Sequence, residues 1–183
     1  EARRASPGDD LLSALCREET EGQRLSDEEI FSFVRVLFPA GADTTYLGLG
    51  SLMAALLEKP ERLEAIRGDR EAQVAAVEEA LRWEAPTALL PRMVAGGGEF
   101  GGEQLGPNTV VLLGITAANR DPAVFPDPDR FDLTRKTVGH LSFGLGNHFC
   151  LGSHLARAEL RVALAVLLER LGRIELRATP IME

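Results

Sequence analysis

The longest run of helical periodicity lies in the first third of the sequence. Apolar residues recur there at positions i, i+3, i+4 and i+7, the spacing of one helix face: Ile30, Phe33, Val34 and Leu37. Just before them, Ser26 and Glu29 form a capping box, in which the serine oxygen accepts an N–H and the glutamate reaches back. The pattern predicts a helix over 26–58, apolar on more than one face as in the middle of a core.

Several residues weaken the middle of this predicted helix. Pro39 costs about 3 kcal/mol in a helix interior, and each nearby glycine costs about 1 kcal/mol. Thr44 falls on the same face as Leu37, and its hydroxyl can bond back to a carbonyl near Ala40 and open the helix. We therefore predict a kink, which is either part of a functional site or a bend in a core helix with an internally satisfied threonine.

A second amphipathic run follows Cys150 and predicts a helix over 150–171. Cys150 stands at or just before the N-terminus of this helix. Unpaired N–H groups and the helix dipole favour an anion there, which biases the sulfur towards the thiolate. A shorter helix is predicted over 71–83, where Glu79 and Arg82 share one face because they are three residues apart.

Between about residues 89 and 113 the sequence changes to prolines, glycines and short apolar runs rich in valine and leucine. These features predict a small sheet rather than another helix. Together with the helical segments, they predict a fold that is mainly α with a minor β-sheet.

Composition bounds the class of protein. The chain has 183 residues, of which 45% are hydrophobic and 26% charged, as in ordinary globular proteins. Its net charge of −8 argues against nucleic acid as a partner. No apolar run reaches the roughly 18 residues of a membrane span. Cys16 and Cys150 are too few for a disulfide framework, which favours a reducing compartment such as the cytoplasm.

The stretch from Phe143 to Gly152 is a glycine-punctuated loop that contains a cysteine near its end. Glycines such as Gly144 let the backbone pass close to a flat, bulky partner where a Cβ would collide. A thiolate with free space in front of it is what an axial haem ligand requires. Taken alone, Cys150 also fits a buried thiol that packs as a small hydrophobe. The whole pattern F-x-x-G-x-H-x-C-x-G-x-x-x-A, which closes at Ala156, is much harder to meet by chance.

This pattern resembles the signature of the haem-thiolate monooxygenases, the cytochrome P450 family. Three further segments match the family and occur in the family's order along the chain. They are the oxygen-activating [AG]-G-x-[DE]-T-[TS] over 40–45, E-x-x-R within 71–83, and the meander and cysteine loop over 119–149. The resemblance implies that residues 1–183 are a single partial domain, the C-terminal half of a soluble bacterial-type member whose N-terminal half is absent.

The resemblance also implies a cofactor and roles for individual residues. The cofactor is haem b, with Cys150 as the metal ligand. Thr44 would hold dioxygen and Asp43 would help to relay protons. Further residues would contact the haem, among them two that match propionate-binding positions: Phe143, Gly144, Gly152, Ala156, and, for the propionates, Arg92 and His148.

A structural triad is implied as well. Glu79 and Arg82 would bind a third basic group in a later loop, and Arg130 occupies that position in this sequence. By the resemblance, the triad holds the loop that presents Cys150.

The implied function is insertion of one dioxygen atom into an apolar organic substrate, with electrons from NAD(P)H delivered by a ferredoxin-type or flavodoxin-type partner. Arg157 and Arg161 share a helix face that could dock such an acidic carrier, or that is simply solvated. Two alternatives remain open. One is a peroxide-using or rearranging relative, and the other is a haem-binding, partner-binding or non-functional fragment without catalysis.

Overall fold

Helices supply most of the regular structure in the computed structural model, which describes residues 1–20, 22–136 and 139–177. The prediction of a mainly α fold with minor β-sheet is confirmed. Contacts within the chain separate two compact units, Glu1–Asp43 and Thr44–Glu183. The interpretation of 1–183 as one partial domain therefore stays a prediction.

The first unit contains two short helices and a hairpin, followed by the start of a long helix: α1 (Ala2–Ala5), α2 (Leu11–Arg17), β1 (Glu19–Thr20), β2 (Gln23–Arg24) and α3 (Asp27–Leu57). The predicted capping box is present at the start of α3. The Ser26 N–H donates to Glu29 Oε2 at 2.7 Å, and the Glu29 N–H donates to Ser26 Oγ at 3.2 Å. The helix predicted over 26–58 is thus confirmed with bounds one residue shorter at each end.

α3 is continuous from Asp27 to Leu57, with Pro39 inside it. The kink predicted near Thr44 stays a prediction. The C-terminal part of α3 enters a core through the buried side chains of Leu52 and Leu56, and Ile30 is buried in its first turn. Large apolar side chains on its earlier turns are exposed: Phe31, Val36, Phe38 and Tyr46.

The second unit adds four helices and four strands: α4 (Pro60–Ile66), α5 (Arg70–Trp83), β3 (Leu89–Val94), β4 (Gly98–Phe100), β5 (Glu103–Leu105), β6 (Thr109–Gly114), α6 (Ile115–Ala118) and α7 (Ser153–Arg170). β3 pairs antiparallel with β6, so that Leu89 lies opposite Gly114. β4 and β5 form a hairpin whose two-residue turn has positive φ at both Gly101 and Gly102. Such a turn matches the twist of the strands and favours glycine.

The core of this unit lies where α5 packs against α7 and the end of α3. Its fully buried apolar members come from all three helices and from α4: Leu52, Leu56, Ile66, Val77 and Leu164. The helix predicted over 71–83 is α5, capped by Asp69, whose carboxylate accepts from the N–H groups of Glu71 and Ala72. The helix predicted over 150–171 is α7, which begins three residues later because Gly152 is its N-cap.

A buried ion pair on α5 binds the backbone of the long loop that follows α6. Glu79 and Arg82 are 1% and 0% exposed, with Arg82 Nε 2.8 Å from Glu79 Oε2. Arg82 Nη1 donates to the carbonyls of Asn119 and Pro128, at 3.0 and 2.9 Å. A buried charge pair is costly unless its remaining donors and acceptors are satisfied, and here the loop backbone satisfies them.

The third basic member of this network is Arg135, and the prediction of Arg130 was wrong. Arg135 Nε lies 3.2 Å from Glu79 Oε1, and its side chain is 9% exposed. The Arg130 side chain is 69% exposed, and its contact is a 4.0 Å approach to Asp132. The reason is backbone direction: the Arg130 carbonyl points inward and accepts from Arg82 and Arg135, which leaves its side chain outside.

This correction is testable in the full-length protein. We expect Arg135→Gln to lower the free energy of unfolding by about 3 kcal/mol, because it leaves part of the Glu79 charge without its partner. Arg130→Gln is the matched control and should stay within about 0.5 kcal/mol of wild type. Urea denaturation measures both. A larger loss for Arg130→Gln than for Arg135→Gln would contradict this assignment.

A second prediction concerns residues 1–183 expressed alone. Each uncovered large apolar side chain of α3 forfeits about 1.5–3 kcal/mol, against a total stability of about 5–15 kcal/mol for an ordinary domain. We expect a loosely packed, aggregation-prone species. Near-UV circular dichroism and thermal melting provide the measurement, and a cooperative melt of a monomer would show the expectation to be wrong.

Candidate functional site

The loop before α7 is shaped by its own backbone hydrogen bonds. The Cys150 N–H donates to the Phe143 carbonyl at 2.8 Å, and the Gly144 N–H donates to the Leu141 carbonyl at 2.8 Å. Gly144 has φ +72° and Gly146 has φ +70°, a left-handed conformation that glycine adopts without strain. A Cβ at Gly144 would also lie 3.4 Å from the His148 carbonyl oxygen. The glycines therefore permit the turn that brings Cys150 back to Phe143.

Cys150 carries a free, exposed thiol at the end of this loop. It lies just before α7, and its carbonyl accepts from the Ser153 N–H at 3.2 Å. The predicted position near a helix N-terminus is confirmed. Cys16, the other cysteine, is free and half-buried in the first unit.

The surface around the thiol is apolar and uncovered. Leu145 and Leu151 are 80% and 83% exposed, and Phe149 and Leu155 are exposed as well. Such a surface offers a charged or polar ligand no favourable contacts, whereas a large flat apolar group would cover it and remove it from water. Among residues 1–20, 22–136 and 139–177, no cluster of three or more His, Cys, Asp or Glu side chains could hold a metal ion. A single cysteine sulfur on an apolar surface fits an iron whose other ligands come from a macrocycle.

The cysteine loop brings several of the predicted site residues together. The loop gathers Phe143, Gly144, His148, Cys150 and Gly152, with Ala156 one turn into α7. Arg92 lies on β3, where its side chain donates to the neighbouring Pro91 carbonyl at 2.9 Å. The cofactor roles of all these residues stay predictions.

Asp43 and Thr44 are consecutive residues of α3, one exposed and the other half-buried. One turn after Thr44, Gly48 lies against α7: a Cβ there would be 3.4 Å from Pro86 and 3.7 Å from Leu160. Residues four apart share a helix face, so Thr44 lies on the face of α3 that approaches α7. The proton and oxygen roles assigned to Asp43 and Thr44 stay predictions.

Glu78 is the main residue that the sequence analysis missed. Its carboxylate lies 2.8 and 3.0 Å from Arg157 Nε and Nη2, 3.4 Å from Arg161 Nη2 and 3.3 Å from His140 Nε2. Burial raises the pKa of Glu78, but hydrogen bonds from His140 and Arg157 outweigh burial and bring the pKa down to about 2. The group is therefore anionic at neutral pH.

These contacts correct the interpretation of Arg157 and Arg161 as a free basic face. The two arginines do share a face of α7, but that face turns towards Glu78 on α5. The docking of an acidic carrier on these two side chains is thus not supported. The sequence signal was present only in part: two cations four residues apart predict a common face, but nothing local identifies the anion that they meet.

Both the sequence and the fold of the chain are similar to those of known proteins. The family model described as Cytochrome P450 matches residues 2–175. The chain is 46% identical over 179 residues to the 6-deoxyerythronolide B hydroxylase of Saccharopolyspora erythraea, covering 96% of this chain and 44% of that protein. It is 40% identical over 179 residues to the cyclomarin C epoxidase CymV of Salinispora arenicola, covering 98% and 45%.

Among solved structures, cytochrome P450 CYP109Q5 from Chondromyces apiculatus matches with a TM-score of 0.92 and 44% identity, covering 97% of this chain and 46% of that one. The chain thus spans less than half the length of these relatives. No helix of the described residues combines the length and the apolar character needed to cross a membrane. Because the family model covers nearly the whole chain and the fold matches to the same extent, the chain belongs to the cytochrome P450 family.

Proposed function

We propose that the complete protein is a haem-thiolate monooxygenase that inserts one dioxygen atom into an apolar organic substrate. The observation that carries this proposal is the free, exposed thiol of Cys150, set on a glycine-shaped loop at the start of α7 and surrounded by exposed apolar side chains. The family to which the chain belongs implies haem, and the donor set at this loop fits that cofactor.

In this proposal Cys150 holds the iron, and haem, when bound, supplies the activation of dioxygen. The hydrogen bond from the Cys150 N–H to the Phe143 carbonyl fixes the backbone that presents the sulfur. Exposed leucine and phenylalanine side chains around the loop exclude water from the sulfur once they are covered. Arg92 and His148 would hold the propionates.

Asp43 and Thr44 would manage protons for the reaction. Thr44 lies on the face of α3 that approaches α7, and a threonine hydroxyl can both donate and accept a hydrogen bond. Asp43 is exposed to solvent. An acid next to a hydroxyl is the pair needed to pass protons inward one at a time. Its presence favours a monooxygenase over a peroxide-using or rearranging relative.

The substrate class is proposed from the names of similar proteins. Two similar proteins are described as a hydroxylase of 6-deoxyerythronolide B and an epoxidase of cyclomarin C. These names describe oxygen insertion at a C–H bond and at a C=C bond. We propose a comparable organic substrate here, with electrons from NAD(P)H through a ferredoxin-type or flavodoxin-type partner, in the cytoplasm.

Replacement of the proposed iron ligand tests the function directly. In the full-length protein, Cys150→Ser should abolish the strongly red-shifted Soret band of the reduced, CO-bound form, because an alcohol cannot supply an anionic sulfur. Cys16→Ser is the control and should leave that band unchanged. Retention of the band in Cys150→Ser would refute the proposal.

The proton role of Thr44 has a separate test. Thr44→Ala should preserve the CO spectrum but lower the yield of product per NAD(P)H several-fold and release hydrogen peroxide instead, because proton delivery is no longer controlled. Ser51→Ala removes a half-buried hydroxyl seven residues further along α3 and serves as the control. Unchanged coupling in Thr44→Ala would remove this role from Thr44.

A further inference from the structure

Two neighbouring carboxylates of α5 hold two different parts of the chain. Glu79 binds Arg82 and Arg135 and accepts from the Asp132 N–H at 2.9 Å, so it anchors the loop after α6. The Glu78 side chain instead bonds to Arg157 on α7 and to His140, just before the cysteine loop. The established family motif includes Glu79 but gives no role to Glu78.

The contacts of Glu78 converge on one aromatic ring. Arg157, which forms a two-bond pair with the carboxylate, places its guanidinium carbon 4.3 Å from the centre of the Phe143 ring. His140, the second partner of Glu78, has its ring centre 6.0 Å from the same ring. Glu78 therefore reaches Phe143 through two separate side chains.

Phe143 in turn fixes the backbone of the cysteine. Its carbonyl accepts the Cys150 N–H at 2.8 Å, and its ring lies 6.4 Å from that of Phe149, the residue before the cysteine. Phe143 also packs against the core formed by α5 and α7. A shift of this ring would therefore move the peptide from which the thiol projects.

The arrangement requires a guanidinium at position 157. Its planar fork can pair with a carboxylate through two parallel hydrogen bonds and stack on an aromatic ring at the same time, which an ammonium cannot do. Without Glu78, Arg157 would lose the partner that sets its orientation on Phe143. Arg161 makes one longer contact with the same carboxylate, at 3.4 Å, and its side chain is more exposed than that of Arg157. It therefore cannot replace the fixed geometry of Arg157.

We propose that Glu78 is a positioning residue for the proposed iron ligand, acting through Arg157 and His140 on Phe143 and so on the backbone of Cys150. This inference rests on the proposed function, since it assigns a role towards the same sulfur. Groups that orient a metal ligand from outside the ligand sphere typically change metal affinity or activity by about 10–100-fold when they are replaced.

The experiment uses the full-length holoprotein with Glu78→Gln, Glu78→Asp and Arg157→Lys. Glu78→Gln removes the charge and keeps the shape. Glu78→Asp keeps the charge and shortens the reach, and Arg157→Lys keeps the charge and removes the fork. Glu84→Gln is the matched control, because Glu84 also pairs with an arginine, Arg120, at 2.9 Å at the end of α5, away from the cysteine loop.

Two quantities are measured during slow heating. One is the rate of haem transfer to an acceptor protein, and the other is the fraction of the reduced CO complex that has the thiolate-type band. Far-UV circular dichroism records the helix content over the same temperatures. We expect haem loss about tenfold faster in Glu78→Gln and Arg157→Lys than in wild type. We also expect the thiolate-type band to fall at temperatures where helix content is unchanged. Glu78→Asp should show the same defects, and Glu84→Gln should behave as wild type.

Three results would overturn the inference. One is a wild-type rate of haem loss and a stable thiolate-type band in Glu78→Gln. Another is simultaneous loss of the band and of helix content, which would make the role of Glu78 one of general stability. A third is an equal defect in Glu84→Gln. If Glu78→Gln does not fold, Arg157→Lys decides by the same criteria. Absence of the thiolate-type band in wild type would instead refute the proposed function.

Discussion

The buried ion pair between Glu79 and Arg82 is the interaction on which the rest of the second unit depends. It brings full charges into a site without solvent exposure, and that cost is offset because backbone groups of the loop and the Arg135 side chain supply the remaining partners. The long connection from α6 to α7 has little regular structure. Its course is set by the carbonyls and N–H groups that bond to these two side chains, with Arg135 as the third charged member.

A second group of polar contacts holds the connection between α6 and α7 nearer to the cysteine. Asn119 is fully buried; its side chain donates to Ser142 Oγ at 2.8 Å and accepts from the Leu141 N–H at 2.6 Å. The Ser142 hydroxyl donates to the Leu81 carbonyl on α5. α5 thus contacts successive parts of the connection up to the loop that ends at Cys150. A rigid helix that holds an irregular loop at several points is the arrangement needed to keep a single ligand atom in place.

Local features of this structure could be predicted from sequence, and distant contacts could not. The capping box of Ser26 and Glu29 and the helices themselves follow from short-range spacing. The family resemblance implied Arg130 as the third basic group, whereas Arg135 occupies that place. An irregular loop has no periodicity that reveals which side chain points inward. The meeting of Glu78 with Arg157 joins residues 79 positions apart in the chain. No pattern on either helix alone identifies the other, so this pairing required the fold.

The proposed function requires that the sulfur of Cys150 binds iron in the complete protein. X-ray absorption at the iron edge measures this bond without relying on activity or on an added ligand. We expect a sulfur scatterer in the first coordination shell of iron in the ferric full-length protein, and its replacement by a lighter atom in Cys150→Ser. A first shell of nitrogen and oxygen alone in the wild-type protein would contradict the claim.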